Sequence, residues 1–144
     1  MDTLGIVDSR SIAAGTALAD SMLKAAAVTL VRASVVCAGR LLIVVEGDRE
    51  AVETAVRTAR EAEASLAGSY IISPVDPQVQ AALRRRPQPA AGHALGVVEC
   101  RNAADGVMAA DAAVKKAQVA LMRLVLGQGI GGKSFFVLTG DVAA

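Results

Sequence analysis

An internal repeat limits the possible folds of this sequence more than any other feature. Residues 4–10 (Leu-Gly-Ile-Val-Asp-Ser-Arg) recur 91 positions later as residues 95–101 (Leu-Gly-Val-Val-Glu-Cys-Arg). Self-similarity at a fixed offset indicates two copies of one structural unit. The other residues that recur at this offset are Asp20, Lys24, Val28, Leu30 and Arg32, which match Asp111, Lys115, Val119, Leu121 and Arg123.

Beyond residue 36 the offset changes to 93, which places a two-residue insertion in one loop of the second copy. Gly39, Gly47 and Asp48 match Gly132, Gly140 and Asp141 at the new offset. The two counterpart loops are therefore residues 34–40 (Ser-Val-Val-Cys-Ala-Gly-Arg) and the longer residues 126–133 (Leu-Gly-Gln-Gly-Ile-Gly-Gly-Lys).

The first copy predicts the element order β-α-β-β-α-β. Apolar and β-branched runs predict strands over 5–8, 28–36, 41–46 and 69–73, with Gly39 turning between the second and the third. Ser11 is expected to cap a helix over 12–26, and Asp48 a helix that reaches residue 64. We expect the first helix to face the sheet through Ile12, Ala19, Met22 and Leu23. A short helix is expected over 78–83.

The predicted fold class is α+β: two tandem copies of an antiparallel sheet with both helices on one face. We expect a first domain over 1–84, a linker over 85–93 and a second domain over 94–144. The second copy stops soon after its third strand, so it is expected to be incomplete and to have one sheet face partly uncovered. A shortened repeat, cover by another chain and continuation beyond this sequence all remain open.

Composition and charge exclude several classes of function. Fifteen basic and 14 acidic residues give a formal charge of +1, which argues against nucleic acid as the main partner. The arginines at 84–86 precede Pro87 and are better explained as a solvated linker. The sequence shows neither an apolar run long enough for a membrane span nor a signal peptide. Two cysteines, Cys37 and Cys100, are too few for a disulfide framework.

The glycine-rich loop over 127–133 looks superficially like a phosphate-binding loop. That motif needs Lys-Ser/Thr at the start of a helix, whereas residues 135–138 (Phe-Phe-Val-Leu) predict a strand. The glycines are better explained as positions where backbones approach closely and amides face an opening. His93 is the only histidine and lies in the linker. The sequence shows no catalytic set, so we do not expect an enzyme.

These residues together resemble bacterial microcompartment shell proteins of the tandem-domain, trimer-forming class. The resemblance is carried by residues 4–8 and 19–28, by Gly47-Asp48 before a helix, and by residues 95–99, 109–111, 115 and 127–133. Within the class, the propanediol-utilisation iron–sulfur subtype is most similar, because it carries a cysteine in the first loop and Gly-Ile-Gly-Gly-Lys in the second.

The resemblance implies a flat homotrimer with pseudo-sixfold symmetry that tiles among other shell proteins in a microcompartment shell in the bacterial cytoplasm, with enzymes enclosed. Nucleic acid and membrane are not expected as partners. Lys24 and Lys115 would make tile-edge contacts. The central opening would be lined by residues of both loops: Ala38, Gly39, Gly127, Gln128, Gly129, Ile130, Gly131 and Gly132. Two departures from the family are the missing last helix and strand, and the lack of an arginine between Pro74 and Pro77.

Cys37 is the residue with the sharpest predicted chemistry. The similar subtype binds a [4Fe–4S] cluster through three such cysteines, one from each chain, and its Cys-Pro-Gly-Lys reads Cys-Ala-Gly-Arg here. An unliganded Cys37 beside a plain metabolite pore remains open, and so does a small-ligand-binding regulatory α+β protein. Cys100 is expected to be structural.

Overall fold

The computed structural model describes residues 2–63, 65–86 and 92–144. The first copy forms β1 (Thr3–Ser9), α1 (Ile12–Ala25), β2 (Thr29–Val36), β3 (Arg40–Gly47), α2 (Arg49–Ala62) and β4 (Gly68–Ile72). A short helix, α3 (Pro77–Leu83), follows, and the second copy forms β5 (Ala94–Cys100), α4 (Ala103–Lys116), β6 (Val119–Leu126) and β7 (Ser134–Gly140). Every predicted element is present within a few residues of its expected bounds.

Equivalent capping residues start the equivalent helices of the two copies. The Ser11 hydroxyl accepts the Ala14 backbone N–H at 3.1 Å, as predicted, and starts α1. At the counterpart position Asn102 accepts the Asp105 N–H at 2.8 Å and starts α4. Asp48 occupies the N-cap position of α2.

Both sheets are antiparallel and share one topology. The first sheet has the order β2-β3-β1-β4 and the second has the order β5-β7-β6. The central pairings agree at the repeat offsets, since Leu4 pairs with Glu46 and Leu95 pairs with Thr139. Even the irregularity is repeated: a β-bulge follows Leu30 in β2 and Leu121 in β6. The duplication predicted from the sequence is thus a duplication of structure.

Helices α1 and α2 lie on the same face of the first sheet, as predicted. Their buried residues pack with Val7, Ile43 and Val45, which project from that face. Gly5 allows the close approach of α2, because a Cβ there would lie 2.7 Å from Val56 Cγ2.

One part of the prediction for α1 is wrong. Ala19 and Met22 are buried on the sheet, but Ile12 and Leu23 are 40% and 37% exposed. The helix therefore has a second apolar edge that its own sheet does not cover. The apolar residues of α1 face two different surfaces, whereas the sequence pattern predicted that all of them face the sheet.

The opposite face of the first sheet is covered by the second copy. Leu4, Ile6, Leu42 and Val44 project from that face and are completely buried. They belong to one core with the residues that α4 directs toward them: Ala103, Ala104, Val107, Ala110 and Val114. Helix α4 therefore packs against its own sheet on one side and against the first sheet on the other.

The second sheet is more exposed than the sequence predicted. One partly uncovered face was expected, but β5 is exposed on both faces. Leu95 and Val97 on one face are 67% and 59% exposed, and Val98 on the other is 38% exposed. The counterparts of Leu95 and Val97 are Leu4 and Ile6, which are completely buried in the core that includes α4.

The residues just before the predicted linker pack against the first copy. Leu83 is buried, and the Arg84 guanidinium forms an ion pair with the Glu46 carboxylate. The proline-rich part of the linker, residues 87–91, lies outside the described residues. The domain boundaries at 84 and 94 remain a prediction. None of the described helices is long and apolar enough to cross a membrane.

Replacing Gly106 by alanine is expected to lower the free energy of unfolding. The new Cβ would lie 2.0 Å from Ser134 Oγ and 2.6 Å from Ser134 Cβ, on the buried side of α4. Overpacking costs up to about 3 kcal/mol, against roughly 1 kcal/mol that alanine gains over glycine within a helix. Urea denaturation measures the difference.

Gly96→Ala is the matched control, since Leu138 Cβ at 4.0 Å is the nearest atom that its Cβ would meet. The double variant Gly106→Ala/Ser134→Gly removes the clashing atoms and should recover most of the loss. An unchanged transition midpoint for Gly106→Ala would contradict the tight packing of α4 on β7.

Candidate functional site

The two counterpart loops lie against each other within one chain. The Cys37 backbone N–H donates to the Gly127 carbonyl at 2.7 Å. The Arg40 guanidinium donates to the Gly132 carbonyl at 2.6 Å. These contacts join residues about 90 positions apart in sequence, so the loops of the two copies form one structural site.

Positive φ angles shape both loops. In the longer loop they occur at Gly127 (73°), Gly129 (76°), Gly131 (67°) and Gly132 (80°). In the shorter loop the same conformation occurs at Gly39 (69°) and at Ala38 (68°), where a Cβ makes it less favourable. The glycines that the sequence marked for close backbone approach are thus needed for conformation as well.

The predicted opening residues divide into two groups. A Cβ at Gly39, Gly129 or Gly131 would meet nothing within 4 Å, so these positions face open space. A Cβ at Gly127 would lie 2.7 Å from Val36 Cβ, and one at Gly132 would lie 2.4 Å from an Arg40 nitrogen. The second group holds the longer loop against the shorter one. Ala38 and Gln128 are exposed and Ile130 is half-buried.

The Cys37 thiol points at the backbone of the longer loop. The Gly129 N–H donates to Cys37 Sγ at 2.9 Å. This N–H, with further help from the backbone amides of Ile130, Gly131 and Gly132, lowers the pKa of Cys37. A thiolate is both the nucleophile and the metal ligand, so the site favours the reactive form of this side chain.

Cys100 differs from Cys37 in its surroundings. Burial raises the pKa of its thiol, and the Asp105 charge raises it further. Cys100 takes the place of Ser9, whose hydroxyl donates to Glu63 Oε2 at 2.9 Å. The structure therefore gives the two thiols opposite tendencies to ionise.

A buried ion pair behind the shorter loop was missed in the sequence. Asp8 is completely buried, with Arg40 Nε 3.5 Å from its Oδ1. Burial raises the pKa of Asp8, and the Arg40 charge and the Ala103 backbone N–H at the start of α4 oppose that rise. Arg40 thus connects a buried carboxylate to the longer loop.

The repeat itself carried a signal for this pair. At the repeat offsets, Asp8 corresponds to Glu99 and Arg40 to Lys133, which conserves the sign of each charge. The second pair is loose: Lys133 Nζ lies 4.0 Å from Glu99 Oε2, and their side chains are 62% and 71% exposed.

The two lysines predicted for tile-edge contacts differ in their surroundings. Lys24 is exposed and pairs with Asp20 at 2.6 Å on α1. Lys115 pairs with Asp111 at 2.5 Å on α4 and donates to the Pro74 carbonyl of the first copy. Lys115 therefore lies at the junction between the copies. The tile-edge role of both remains a prediction.

A metal ligand set from one chain is not found in the described part of the structure. Across residues 2–63, 65–86 and 92–144, no three His, Cys, Asp or Glu side chains gather closely enough to hold a metal ion.

The duplicated fold and the joined loops define a tandem-repeat α+β protein. Among the described residues, its first copy has six helices and strands, and its second copy has the first four of them. A family model described as the BMC domain matches residues 3–75 and 94–144. The chain therefore belongs to the BMC-domain family, the shell proteins of bacterial microcompartments, whose place is the microcompartment shell in the bacterial cytoplasm.

Individual relatives agree with this assignment. The chain is 37% identical over 149 aligned residues to the bacterial microcompartment shell protein PduT of Citrobacter freundii, which covers 97% of this chain and 77% of the relative. It is 36% identical over 70 residues to the carboxysome shell protein CcmK2 of a Synechocystis species, covering 49% of this chain and 68% of that protein.

A solved structure supports the same fold. A microcompartment protein from Desulfitobacterium hafniense matches with a TM-score of 0.86 and 42% identity, over 99% of this chain and 80% of that one. The relatives found by sequence are structural shell proteins rather than enzymes, and such proteins assemble with other shell proteins. The predicted family, fold class and lack of enzymatic activity are thus confirmed.

The two thiols are expected to react with an alkylating agent over different pH ranges. Cys37 in a Cys100→Ser variant should reach half of its maximal rate at a pH below the ordinary pKa of a cysteine thiol, because the Gly129 N–H stabilises its thiolate. Cys100 in a Cys37→Ser variant should do so at a pH above that ordinary pKa because of its burial. Rates measured on native, metal-free protein test this order, and two coincident pH profiles would contradict it.

Proposed function

We propose that this shell protein is a structural tile that closes into a homotrimer, with each chain contributing domains 1–84 and 94–144 joined by residues 85–93. One observation carries the proposal. Inside the chain, α4 of the second copy packs on the first sheet and joins the two copies. The equivalent helix of the first copy, α1, and the equivalent face of the second sheet are both left uncovered. A second copy of the chain supplies the missing partner for each.

The first uncovered surface is the outer edge of α1. Ile12, Thr16 and Leu23 occupy the positions that Ala103, Val107 and Val114 occupy on α4. Ala103 and Val107 are completely buried beneath the first sheet, whereas Ile12 is 40% exposed and Leu23 37% exposed. Exposed apolar residues in a contiguous patch mark an interaction surface.

The second uncovered surface is the face of β5 and β7 that corresponds to the covered face of the first sheet. Leu95 and Val97 correspond to Leu4 and Ile6, and Val137 corresponds to Val44. Leu95 is 67% exposed and Val97 is 59% exposed, whereas Leu4 and Ile6 are completely buried. We place the α1 edge of a neighbouring chain on this surface.

Such a contact is head-to-tail, and a head-to-tail contact forms a ring when its rotation closes. Because the contact between chains would repeat the contact between copies, each step around the ring is nearly the same. The trimeric class that the sequence resembles has three chains and six pseudo-equivalent domains. The ring would tile among other shell proteins and enclose enzymes within the shell.

The loops are the part of each copy that such a ring brings together. The shorter and longer loops already touch within one chain, through Cys37 and Gly127 and through Arg40 and Gly132. Repeating that contact between chains gives a continuous circle of loops around a central opening. The open positions Gly39, Gly129 and Gly131 suit backbones that line it.

Three chains would also bring three Cys37 thiols to one opening. Three thiolates can hold a [4Fe–4S] cluster and leave one iron open to another ligand, and a bound cluster would supply one-electron transfer across the shell. The lowered pKa of Cys37 suits it to ligation, and the Gly129 N–H that donates to Sγ orients the thiolate.

A second candidate is a plain metabolite pore with an unliganded Cys37. It is favoured by Gly39, Gly129 and Gly131, where bare backbone faces open space. Exposed amides of this kind can donate hydrogen bonds to small polar metabolites. The two candidates share one tile and differ only in what occupies its opening.

The oligomeric state tests the tile. Wild-type protein should sediment with the mass of three 14.6 kDa chains. Ile12→Asp should sediment as a monomer, because it places a charge in the apolar contact, while an acid in the first turn is favourable for α1 itself.

Ala17→Asp is the matched control, since Ala17 lies on α1 at the counterpart of Met108, which stays exposed on α4. This variant should remain a trimer. A wild-type monomer at high concentration, or equal loss of the trimer in both variants, would count against the proposed ring.

Iron reconstitution under anaerobic conditions tests the cluster. Wild-type trimer is expected to show broad visible charge-transfer absorption and to retain iron after desalting. Cys37→Ser should lose both signals, whereas Cys100→Ser should keep them. A wild-type trimer that retains no iron would contradict the cluster and leave the plain pore.

A further inference from the structure

The exposed charged pair Glu99 and Lys133 corresponds to the buried pair Asp8 and Arg40 of the first copy. Asp8 and Arg40 lie between the first sheet and the start of α4, where Asp8 is completely buried. Ala103, in the first turn of α4, lies near enough to Asp8 to oppose the rise in its pKa, although neither Asp8 carboxylate oxygen accepts a hydrogen bond from a described residue. Arg40 also donates to the Gly132 carbonyl at 2.6 Å.

Glu99 and Lys133 occupy the same two places in the second copy but lack the covering helix. Glu99 lies on β5 two residues beyond Val97, on the same exposed face, and Lys133 immediately precedes β7. In the single chain the two side chains are 4.0 Å apart and more than half exposed. The loose pair therefore lies on the surface proposed to receive α1 of a neighbouring chain.

The start of α1 offers the complementary charge. An acidic side chain is favourable in the first turn of a helix, where free N–H groups and the helix dipole are positive. Helices α2 and α4 have Glu50 and Asp105 in their first turns, whereas α1 has no acidic residue there. Arg10, just before the N-cap Ser11, adds a positive charge at this end, where the Glu63 carboxylate accepts from the Ser9 hydroxyl.

We infer that Glu99 and Lys133 form a polar lock between chains, resting on the ring proposed above. The Glu99 carboxylate faces the first turn of α1 of the next chain, as Asp8 faces the first turn of α4. The Lys133 ammonium neutralises Glu99 and donates to the Gly39 carbonyl of the next chain. This repeats the hydrogen bond from Arg40 to the carbonyl of Gly132, the counterpart of Gly39.

This lock determines both where α1 of the next chain lies along the sheet and where the loop of that chain lies at the opening. The apolar residues Leu95 and Val97 supply most of the contact, but they do not by themselves fix how far α1 slides along the sheet. A charge placed at one end of a helix fixes that position. The same lysine holds the loop of the next chain at the opening.

Glu99→Gln is the test, because it keeps the shape of the side chain and removes its charge. Sedimentation velocity across a concentration series gives the midpoint at which the trimer dissociates. Loss of the charge should raise that midpoint about tenfold at low salt. Because the dissociation constant of a trimer varies as the square of the midpoint concentration, this shift corresponds to about 2.7 kcal/mol per trimer, or about 0.9 kcal/mol for each of its three contacts. The difference from wild type should shrink as salt is added, because salt screens partly exposed charges.

Glu53→Gln is the matched control, since Glu53 is an exposed glutamate that pairs with Arg49 at 2.8 Å on α2, away from the proposed contact. It should leave the midpoint unchanged, and Lys133→Gln should shift it in the same direction as Glu99→Gln. Equal midpoints for wild type, Glu99→Gln and Lys133→Gln in a trimeric protein would overturn the lock and leave the ring standing. A monomeric wild type would overturn both.

Discussion

The burial of α4 between two sheets is the contact on which the rest of the structure depends. On one side Gly106 brings the helix so close to β7 that a Cβ would meet Ser134 Oγ at 2.0 Å. On the other side the small residues Ala103, Ala104 and Ala110 lie completely buried in the core that includes the first sheet. A helix with apolar surface on both sides cannot serve as a solvent-facing cover. It ties the two copies into one unit.

The same contact explains why the copies differ although their topology agrees. The first sheet has helices on both faces, α1 and α2 on one and α4 on the other, so Leu4 and Ile6 are buried and Asp8 is forced into an ion pair with Arg40. The second sheet has α4 alone on one face, so the counterparts Leu95 and Val97 are exposed. A difference in burial between two equivalent positions therefore shows that a contact made in one copy is missing from the other.

The repeat made the topology predictable, since β-α-β-β-α-β described the first copy and its first four elements described the second, including the strand after the glycine-rich loop. It also correctly separated that loop from a phosphate-binding motif. The outward direction of Ile12 and Leu23 was not predictable, because periodicity shows that a residue is apolar but not which of two surfaces it meets. The Asp8–Arg40 pair escaped for a related reason: each charge looks solvated until the second copy covers it.

The chemistry of Cys37 depends on the difference between the two loops. Its position was predictable from the repeat, but the hydrogen bond from Gly129 was not, because it depends on the direction of one backbone amide. That direction follows from the positive φ angles at Gly127 and Gly129, on either side of Gln128, which residues with a Cβ adopt only at a cost. The longer loop can thus turn an amide toward a sulfur in the shorter loop. A glycine-rich insertion in one copy and a cysteine in the other are two halves of the same site, and neither has this effect without the other.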